Sequence, residues 1–439
     1  MFQTLRNAWK VVDIRKKILY TIFIVLLFRI GSAIPVPFVD VVALNNAISN
    51  NGSDIMSYLT IMSGGGFSDA SIFALSITPY INASIIIQLL TVAIPALENM
   101  AKNGEEGRKM LGQITRYTTL GLGLLLGVAY YFMVRNKYMA LAEYAKGGDF
   151  NAWFCAIVII LCFAAGSVLM MWLGGQINDR GIGNGISILL FVGIISRLPS
   201  GLMSLFNVFK QGLEAIDNGG LKYVILVPII FVLFLAMIGL IVFMSDAERR
   251  IPIQYAKRVV GRKMYGGQST FIPIKVNMSG VMPIILAISI ISLPSILKQF
   301  FGWDKDNSSW FFSIFSANSW VYIALYFLLI IGFAFFYVTI QYNPIEMANN
   351  LRKNSGAIPG IRPGKPTSDY IKKVVNKITF IGALFLGVIA LTPSVFGKFT
   401  QMNLGIGGTS LMIVVGVALE TMQQIESQLM MRHYKGFLE

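Results

Sequence analysis

The chain has 439 residues, of which 55% are hydrophobic and only 13% are charged, and its formal net charge is +15. Soluble globular proteins carry about 25% charged residues, so this composition excludes a soluble globule of that length. It predicts a polytopic membrane protein.

Ten segments of about 20 mostly uncharged residues, the length that crosses ~30 Å of hydrocarbon as a helix, follow one another along the chain. They are residues 18–34, 70–94, 113–134, 152–173, 182–199, 223–244, 278–297, 319–341, 378–395 and 408–425. The first is not a secretory signal, because Arg29 lies inside the apolar run and no small-residue cleavage site follows it. The predicted fold class is an all-α polytopic membrane protein with ten transmembrane helices.

Lys and Arg residues are concentrated in alternate connections between the predicted spans. The long connection at 35–69 contains neither residue type. Because cytoplasmic loops are enriched in Lys and Arg, this bias and the even number of spans predict that both termini are cytoplasmic. The positive charge is mainly a signal of topology, although a basic cytoplasmic face could also bind an acidic partner.

Side chains suited to metal binding or redox chemistry are scarce. Cys155 and Cys162 lie on one face of an apolar segment, and His433 is the only histidine. The glycine-containing segments 180–185 and 360–368 lack the spacing of nucleotide-binding loops. The sequence therefore predicts no metal site, no cofactor and no enzymatic activity, so that any ATPase that drives this protein would be a separate polypeptide.

The second and seventh spans share a short motif. Residues 79–86 read PYINASII and residues 283–290 read PIILAISI, with proline first, isoleucine two residues later and alanine four residues later. The two helices would run in opposite directions, which is typical of an inverted repeat with its working site between the halves. Chance matches between apolar helices are the alternative.

Seven longer stretches occur in a characteristic order between the predicted spans. They are RIGSAIPVP (29–37), SGGGFSDASIFALSITPYINASIIIQLL (63–90), GQINDRGIGNGISI (175–188), RRIPIQYAKR (249–258), GGQSTFIPIKVNMSGVMP (266–283), NPIEMANNLRKNSGAIPGIRPGKPT (343–367) and GGTSLMIVVGVALETM (407–422). In these stretches the chain resembles the SecY/Sec61-alpha family, the central subunits of protein-conducting channels. The resemblance implies two pseudo-symmetric inverted halves, residues 1–221 with spans 1–5 and residues 222–439 with spans 6–10, around a central pore.

The resemblance implies a plug at about residues 55–69, a segment that folds back from outside, with the second span proper beginning near Ser71. The implied plug residues are Ser57, Tyr58, Leu59, Ile61, Met62, Ser63, Gly64, Gly65, Gly66 and Phe67. The three glycines would act as a pliable joint, because glycine adopts backbone conformations that other residues avoid. Without the resemblance, this segment would be interpreted as an ordinary external loop.

A ring of apolar side chains in the pore is also implied, formed by Ile77, Ile81, Ile186, Leu190, Ile285 and Ile413. The pairs 77/81 and 186/190 are four residues apart, so each pair shares a helix face. Such a ring would resist ion flow yet deform around a peptide. Leu190 departs from an all-isoleucine ring, which is a conservative change in volume.

The second and seventh spans correspond to the family's lateral gate, through which membrane segments leave for lipid. The implied gate residues are Asn82, Gln88, Ser289 and Leu293. Polar contacts between membrane helices contribute only about 0.6 kcal/mol on average, so such a seam could hold shut and still part. Ordinary polar packing between helices is the alternative.

Two long cytoplasmic loops, 245–276 and 342–377, each contain seven Lys or Arg residues. The resemblance implies that they dock the motor ATPase SecA and the ribosome, whose RNA is a polyanion. Arg362 would be the functionally critical arginine. The implied docking residues are Arg249, Arg250, Lys257, Arg258, Arg352, Lys353, Arg362 and Lys365.

The resemblance implies a passive pore for unfolded preproteins in a bacterial plasma membrane. Its implied partners are SecE, SecG, SecA, the ribosome, preproteins with signal sequences and membrane lipids, with SecDF and YidC as further candidates.

Two other classes of protein stay open as alternatives. A secondary transporter would need ionisable groups within the membrane, and Arg29, Arg116 and Glu420 lie near predicted span ends. A non-transporting scaffold or lipid-handling protein would not need the glycine joint.

Overall fold

The computed structural model describes residues 2–51, 60, 63–137, 141, 149–214, 221–255, 258–260, 263–265, 269–301, 319–400 and 408–435. Within these residues the helices are α1 (Phe2–Lys10), α2 (Val12–Ala33), α3 (Val41–Asn51), α4 (Thr78–Ala93), α5 (Pro95–Lys102), α6 (Gly104–Phe132), α7 (Asp149–Arg180), α8 (Gly185–Glu214), α9 (Leu221–Asp246), α10 (Met282–Phe301), α11 (Trp320–Gln341), α12 (Pro344–Lys353), α13 (Lys365–Thr400) and α14 (Gly408–Lys435). The strands are β1 (Glu248–Tyr255), β2 (Arg258–Val260), β3 (Lys263–Tyr265), β4 (Ser269–Lys275) and β5 (Gly356–Ala357).

Each predicted span overlaps one long helix. Helices α6, α7, α8, α9, α11 and α13 are long and apolar enough to cross a membrane on their own, and α4 with α5 forms a seventh, bent candidate within the described residues. That pair bends by 106°. Ile94 is extended at the bend because Pro95, which begins α5, disfavours a helical conformation at the residue before it.

The second span begins later than predicted. Residues from Ser71 to Ile77 form turns, and the helix starts at Thr78 rather than near Ser71. Ser76 has a φ of +51°, which a right-handed helix does not accommodate. Pro79 then lies in the first helical turn, where the missing N–H costs no intrahelical hydrogen bond.

The chain divides into two compact units. Unit 1 contains α1 to α8, the second half of α10 and α14, and unit 2 contains nearly all of α9, the strands, the first half of α10, and α11 to α13. The boundary after α8 lies close to the predicted boundary between the halves 1–221 and 222–439, whereas α14 groups with unit 1. The inverted relation of those halves stays a prediction.

Unit 2 contains a small sheet that the all-helical prediction did not include. Strand β1 pairs antiparallel with β4 over seven residue pairs, from Glu248↔Lys275 to Gln254↔Ser269, and pairs on its other side with β5. Ile251, Ile253 and Ile274 point into a core shared with α11, α12 and α13. The alternation of apolar and polar residues in RRIPIQY was the available signal for a half-buried strand.

Candidate functional site

The predicted plug is described mainly from Ser63 onward, and residues 63–71, called the plug stem below, fold into a series of turns. Phe67 N donates to Ser63 Oγ at 2.8 Å, and Ser71 N donates to Gly66 O at 2.9 Å. Ser63, Phe67 and Ser71 are buried, so the stem is a packed element of unit 1 and not an open loop. The other predicted plug residues, Ser57, Tyr58, Leu59, Ile61 and Met62, lie outside the described residues.

Two glycines of the plug stem have backbone conformations that favour glycine. The φ angle is +64° at Gly64 and +100° at Gly65. Two of the three glycines also have no room for a side chain. A Cβ on Gly65 would lie 2.3 Å from Arg197 Nη2, and a Cβ on Gly66 would lie 2.5 Å from Ser71 Oγ. The glycine run is thus packed against its neighbours in this structure, and its role as a pliable joint stays a prediction.

The chain that leaves α2 holds the far end of the plug stem. Val36 N donates to Ala70 O at 2.8 Å, and Ile72 N donates to Ile34 O at 3.0 Å. An isolated antiparallel bridge joins Pro35 to Ser71. The stem and the segment after the first span therefore move together or lose these backbone hydrogen bonds.

Helix α6 holds the middle of the plug stem through one tyrosine. Tyr130 Oη donates to Phe67 O at 2.6 Å, and the two rings pack edge to face with their centroids 5.0 Å apart. On its other side the Tyr130 ring packs against Phe163 of α7, with centroids 4.5 Å apart. A buried hydroxyl that finds a carbonyl in this way fixes the backbone of the stem at Phe67.

Two arginines, one on α2 and one on α8, contact the plug stem. Arg29 Nη1 donates a long hydrogen bond to Gly64 O at 3.4 Å, and Arg197 Nη2 donates to Ser68 Oγ at 3.2 Å. Arg197 was not singled out as a site residue, although it lies inside the predicted fifth span. An isolated arginine in an apolar run, two residues before Pro199, was the available signal.

The predicted pore-ring residues fall in both units. Ile77, Ile81, Ile186, Leu190 and Ile413 belong to unit 1, whereas Ile285 belongs to unit 2. Ile77 caps the amino terminus of α4 instead of lying within the helix, and Ile81 N donates to Ile77 O at 3.0 Å. Ile77, Leu190 and Ile413 are almost fully buried. Their arrangement as a closed ring stays a prediction.

The predicted gate residues are also divided between the units. Asn82 lies on α4, and its buried Oδ1 has no hydrogen-bond partner among the described residues. Gln88, six residues further along α4, is exposed and donates to Ser84 Oγ at 3.5 Å. Ser289 lies on α10 in a partly buried position, and the side chain of Leu293 lies outside the described residues.

The two basic loops are joined by the sheet of unit 2. Gln254 and Tyr255 of the first loop pair with Ala357 and Gly356 of the second. Arg249 and Arg250 are exposed on β1. Arg250 Nε lies 2.7 Å from Glu248 Oε1, and its guanidinium lies 4.7 Å from the centroid of the Phe271 ring on β4. Lys257 and the side chain of Arg258 lie outside the described residues.

Arg362 lies at an exposed turn between β5 and α13. The φ angles of Gly360 and Gly364 are +79° and +107°, and Pro363 fixes the backbone between them. Thr367 Oγ1 donates to Arg362 O at 2.9 Å, which ties the turn to the first turn of α13. The turn thus presents the Arg362 side chain to solvent. The other predicted docking residues of this loop, Arg352 and Lys353 at the end of α12 and Lys365 at the start of α13, are also exposed.

Comparisons with known proteins agree with this architecture. The SecY family model matches residues 71–422. Proteins named protein translocase subunit SecY from Streptomyces galbus and Halalkalibacterium halodurans are each 42% identical to this chain, with 100% of both chains covered. A solved structure described as a protein conducting channel matches at a TM-score of 0.65 and 19% identity, covering 94% of this chain and 92% of its own. The predicted fold class, a helical membrane channel of ten spans, is confirmed.

Proposed function

The chain belongs to the SecY family and is a subunit of a protein translocation channel, and from this premise we propose that it forms the pore of a translocon in a bacterial plasma membrane. It is a multi-pass membrane protein and not an enzyme. Preproteins cross it unfolded, and membrane segments leave it laterally for lipid. In the proposed topology both termini are cytoplasmic, as the distribution of Lys and Arg predicts.

The observation that carries the proposed mechanism is the anchoring of the plug stem. A segment directly before α4 is buried and hydrogen-bonded to α6, α8 and the chain that leaves α2. Such a stem gives a fixed base to the residues that precede it, so that residues 55–69 act as the plug of the resting pore. Another solved structure that this chain resembles, at a TM-score of 0.66 and 18% identity, is described as showing that the plug domain of SecY stabilises the closed state and maintains a membrane seal.

The constriction of the proposed pore is the ring of Ile77, Ile81, Ile186, Leu190, Ile285 and Ile413. Branched aliphatic side chains offer water and ions no hydrogen bonds, so a narrow ring of them is a barrier to ions. The burial of Ile77, Leu190 and Ile413 supports this assignment, because these side chains lie away from lipid and bulk solvent.

The proposed lateral gate is formed by α4 and α10, with Asn82, Gln88, Ser289 and Leu293. The buried Asn82 Oδ1 supports this assignment, because an amide oxygen that is shielded from water needs a donor. A polar contact of this kind between membrane helices is weak. The gate can therefore close on polar contacts and part when an apolar signal sequence binds.

The proposed partners fall into two groups. SecE and SecG complete the membrane complex, and SecA or the ribosome docks on the loops 245–276 and 342–377. The exposure of Arg249, Arg250 and Arg362 and the joining of the two loops by β5 support docking there. SecDF and YidC are further candidate partners.

Reconstitution tests the proposed function directly. Liposomes that contain this chain with SecE and SecG, supplied with SecA, ATP and a preprotein, are expected to protect the preprotein from external protease. A preprotein without a signal sequence is the control, and a non-hydrolysable ATP analogue is a second control. Uptake of a small solute by these liposomes in the absence of preprotein transport would favour a secondary transporter instead.

A further inference from the structure

We propose that Arg197 is the positioning residue of the plug stem, and that its contact with Gly65 and Ser68 sets how readily the resting channel opens. This inference rests on the proposed function of residues 55–69 as a plug. All the residues that carry it lie in unit 1.

The contact is built around a glycine. The guanidinium of Arg197 lies over Gly65 so closely that a Cβ there would be 2.3 Å from Nη2 and 2.7 Å from Cζ. The same Nη2 donates to Ser68 Oγ at 3.2 Å, and that hydroxyl donates onward to Gly65 O at 2.9 Å. The arginine, the serine and the glycine carbonyl thus form one connected set of hydrogen bonds that closes the turn between residues 65 and 68.

Partial burial of the charged Arg197 side chain is energetically unfavourable, which indicates a functional role for this residue. The residue is only partly exposed, lies on a helix that crosses the membrane, and its buried Nε has no hydrogen-bond partner among the described residues. A charged side chain within a membrane-spanning helix is unfavourable and commonly marks a functional site. Packing alone does not require a cation here, because an apolar side chain would fill the space without a desolvation penalty.

The other contacts of the stem hold different parts of it. Tyr130, the backbone pairs with residues 34–36, and Asn45 of α3, which donates to Asp69 Oδ1 at 3.0 Å, hold positions 67–72, which lie toward α4. Near the glycines, Ser63 and Ser68 form hydrogen bonds within the stem. The other side-chain hydrogen bonds there, among the described residues, are long: Arg29 and Ser196 donate to Gly64 O at 3.4 Å and 3.5 Å. The Arg197 contact is therefore the firmest side-chain tie between α8 and the start of the stem.

Opening of the plug must break this contact, because the stem cannot move away from α8 while Nη2 is bound to Ser68. Hydrogen bonds to charged groups are stronger than those between neutral groups. Removal of the guanidinium is expected to raise the population of the released stem about tenfold, which corresponds to about 1.4 kcal/mol.

Hydrogen exchange of the resting complex measures this population without any transport assay. We compare wild type, Arg197→Gln and Arg197→Lys in the intact channel with its small subunits, using peptides that cover residues 63–72. Arg197→Gln is expected to exchange these amides about tenfold faster, and Arg197→Lys, which keeps a donor and a charge, is expected to fall between it and wild type. Lys210→Gln is the matched control, because it removes one exposed positive charge from the same helix.

Ion leak and signal selection give the functional outcome. Arg197→Gln liposomes are expected to leak ions about tenfold faster at rest and to export a preprotein with a defective signal sequence, whereas Lys210→Gln behaves as wild type. Ser68→Ala is expected to give the same phenotype, and the double variant no more than either single variant. Unchanged exchange in residues 63–72 for Arg197→Gln would overturn the inference. If wild type itself exports nothing, the proposed function fails, and the exchange experiment still tests the contact.

Discussion

Replacement of Gly65 by alanine distinguishes two roles for the glycine run. If the glycines form a loose joint, alanine stiffens it and slows plug opening, so the resting channel leaks less. If Gly65 is instead a packed anchor, alanine destabilises the closed state and the channel leaks more. The observed packing predicts the second result.

The magnitude follows from the geometry at Gly65. Its φ of +100° lies outside the range that alanine adopts without strain, and such strain costs about 1–3 kcal/mol. The new Cβ would also lie 2.3 Å from Arg197 Nη2, so the guanidinium must move and its bond to Ser68 is lost. Together with about 1.4 kcal/mol for the lost contact, the total is about 2–4 kcal/mol, which corresponds to roughly a 30-fold to 700-fold rise in the released population.

Dye or ion release from liposomes that hold the resting complex measures this effect. Gly239→Ala is the matched control, because that glycine lies within α9, has open space where a Cβ would be placed, and should tolerate the change. Membrane levels of both variants should equal wild type. A Gly65→Ala channel that leaks less than wild type would refute the packed-anchor hypothesis and support the loose-joint hypothesis.

Three further predictions test other parts of the site. Deletion of residues 57–66 should leave export largely intact while ion leak rises and signal selection relaxes, and loss of export without leak would contradict the plug assignment. Tyr130→Phe keeps the ring contact but removes the donor to Phe67 O, so amide exchange in residues 65–70 should rise by about fivefold to 30-fold, for a cost of about 1–2 kcal/mol; Tyr322→Phe in unit 2 is the matched control. Arg362→Glu should severely impair SecA-driven export and SecA ATPase stimulation with normal membrane levels, and Arg362→Lys should be partly active, because lysine lacks the planar fork of arginine; wild-type export by Arg362→Glu would show that this residue does not dock the motor.

Hydropathy predicted which segments form long helices, because the chain length needed to cross lipid and the exclusion of charge both appear directly in a linear sequence. It could not predict where α4 begins. The apolar run continues without a break through Ala74 and Leu75, and only the conformation of Ser76 and the position of Pro79 separate the turns from the helix. The resemblance also placed that start, near Ser71, earlier than the structure does.

The site was less accessible to sequence reasoning than the spans. Glycines 64–66 were singled out from the sequence, yet their number alone does not distinguish a flexible joint from a close packing site, because both need glycine. Arg197 was missed because a single charge inside an apolar span is read as a boundary effect. Its partner, Ser68, is an ordinary residue whose importance depends on a contact between positions far apart in the chain.

The strands that join the two basic loops also set an order of events during synthesis. The β1–β4 hairpin emerges complete, but the edge of β1 at Gln254 and Tyr255 has no partner until β5 is made roughly 100 residues later, which at 5–20 residues per second takes about 5–20 s. An unpaired strand edge is prone to pair with other chains. A nascent chain therefore has an incomplete first loop until α11 and α12 have been synthesised. A motor or ribosome that recognises the joined loops would not bind channels whose synthesis is incomplete.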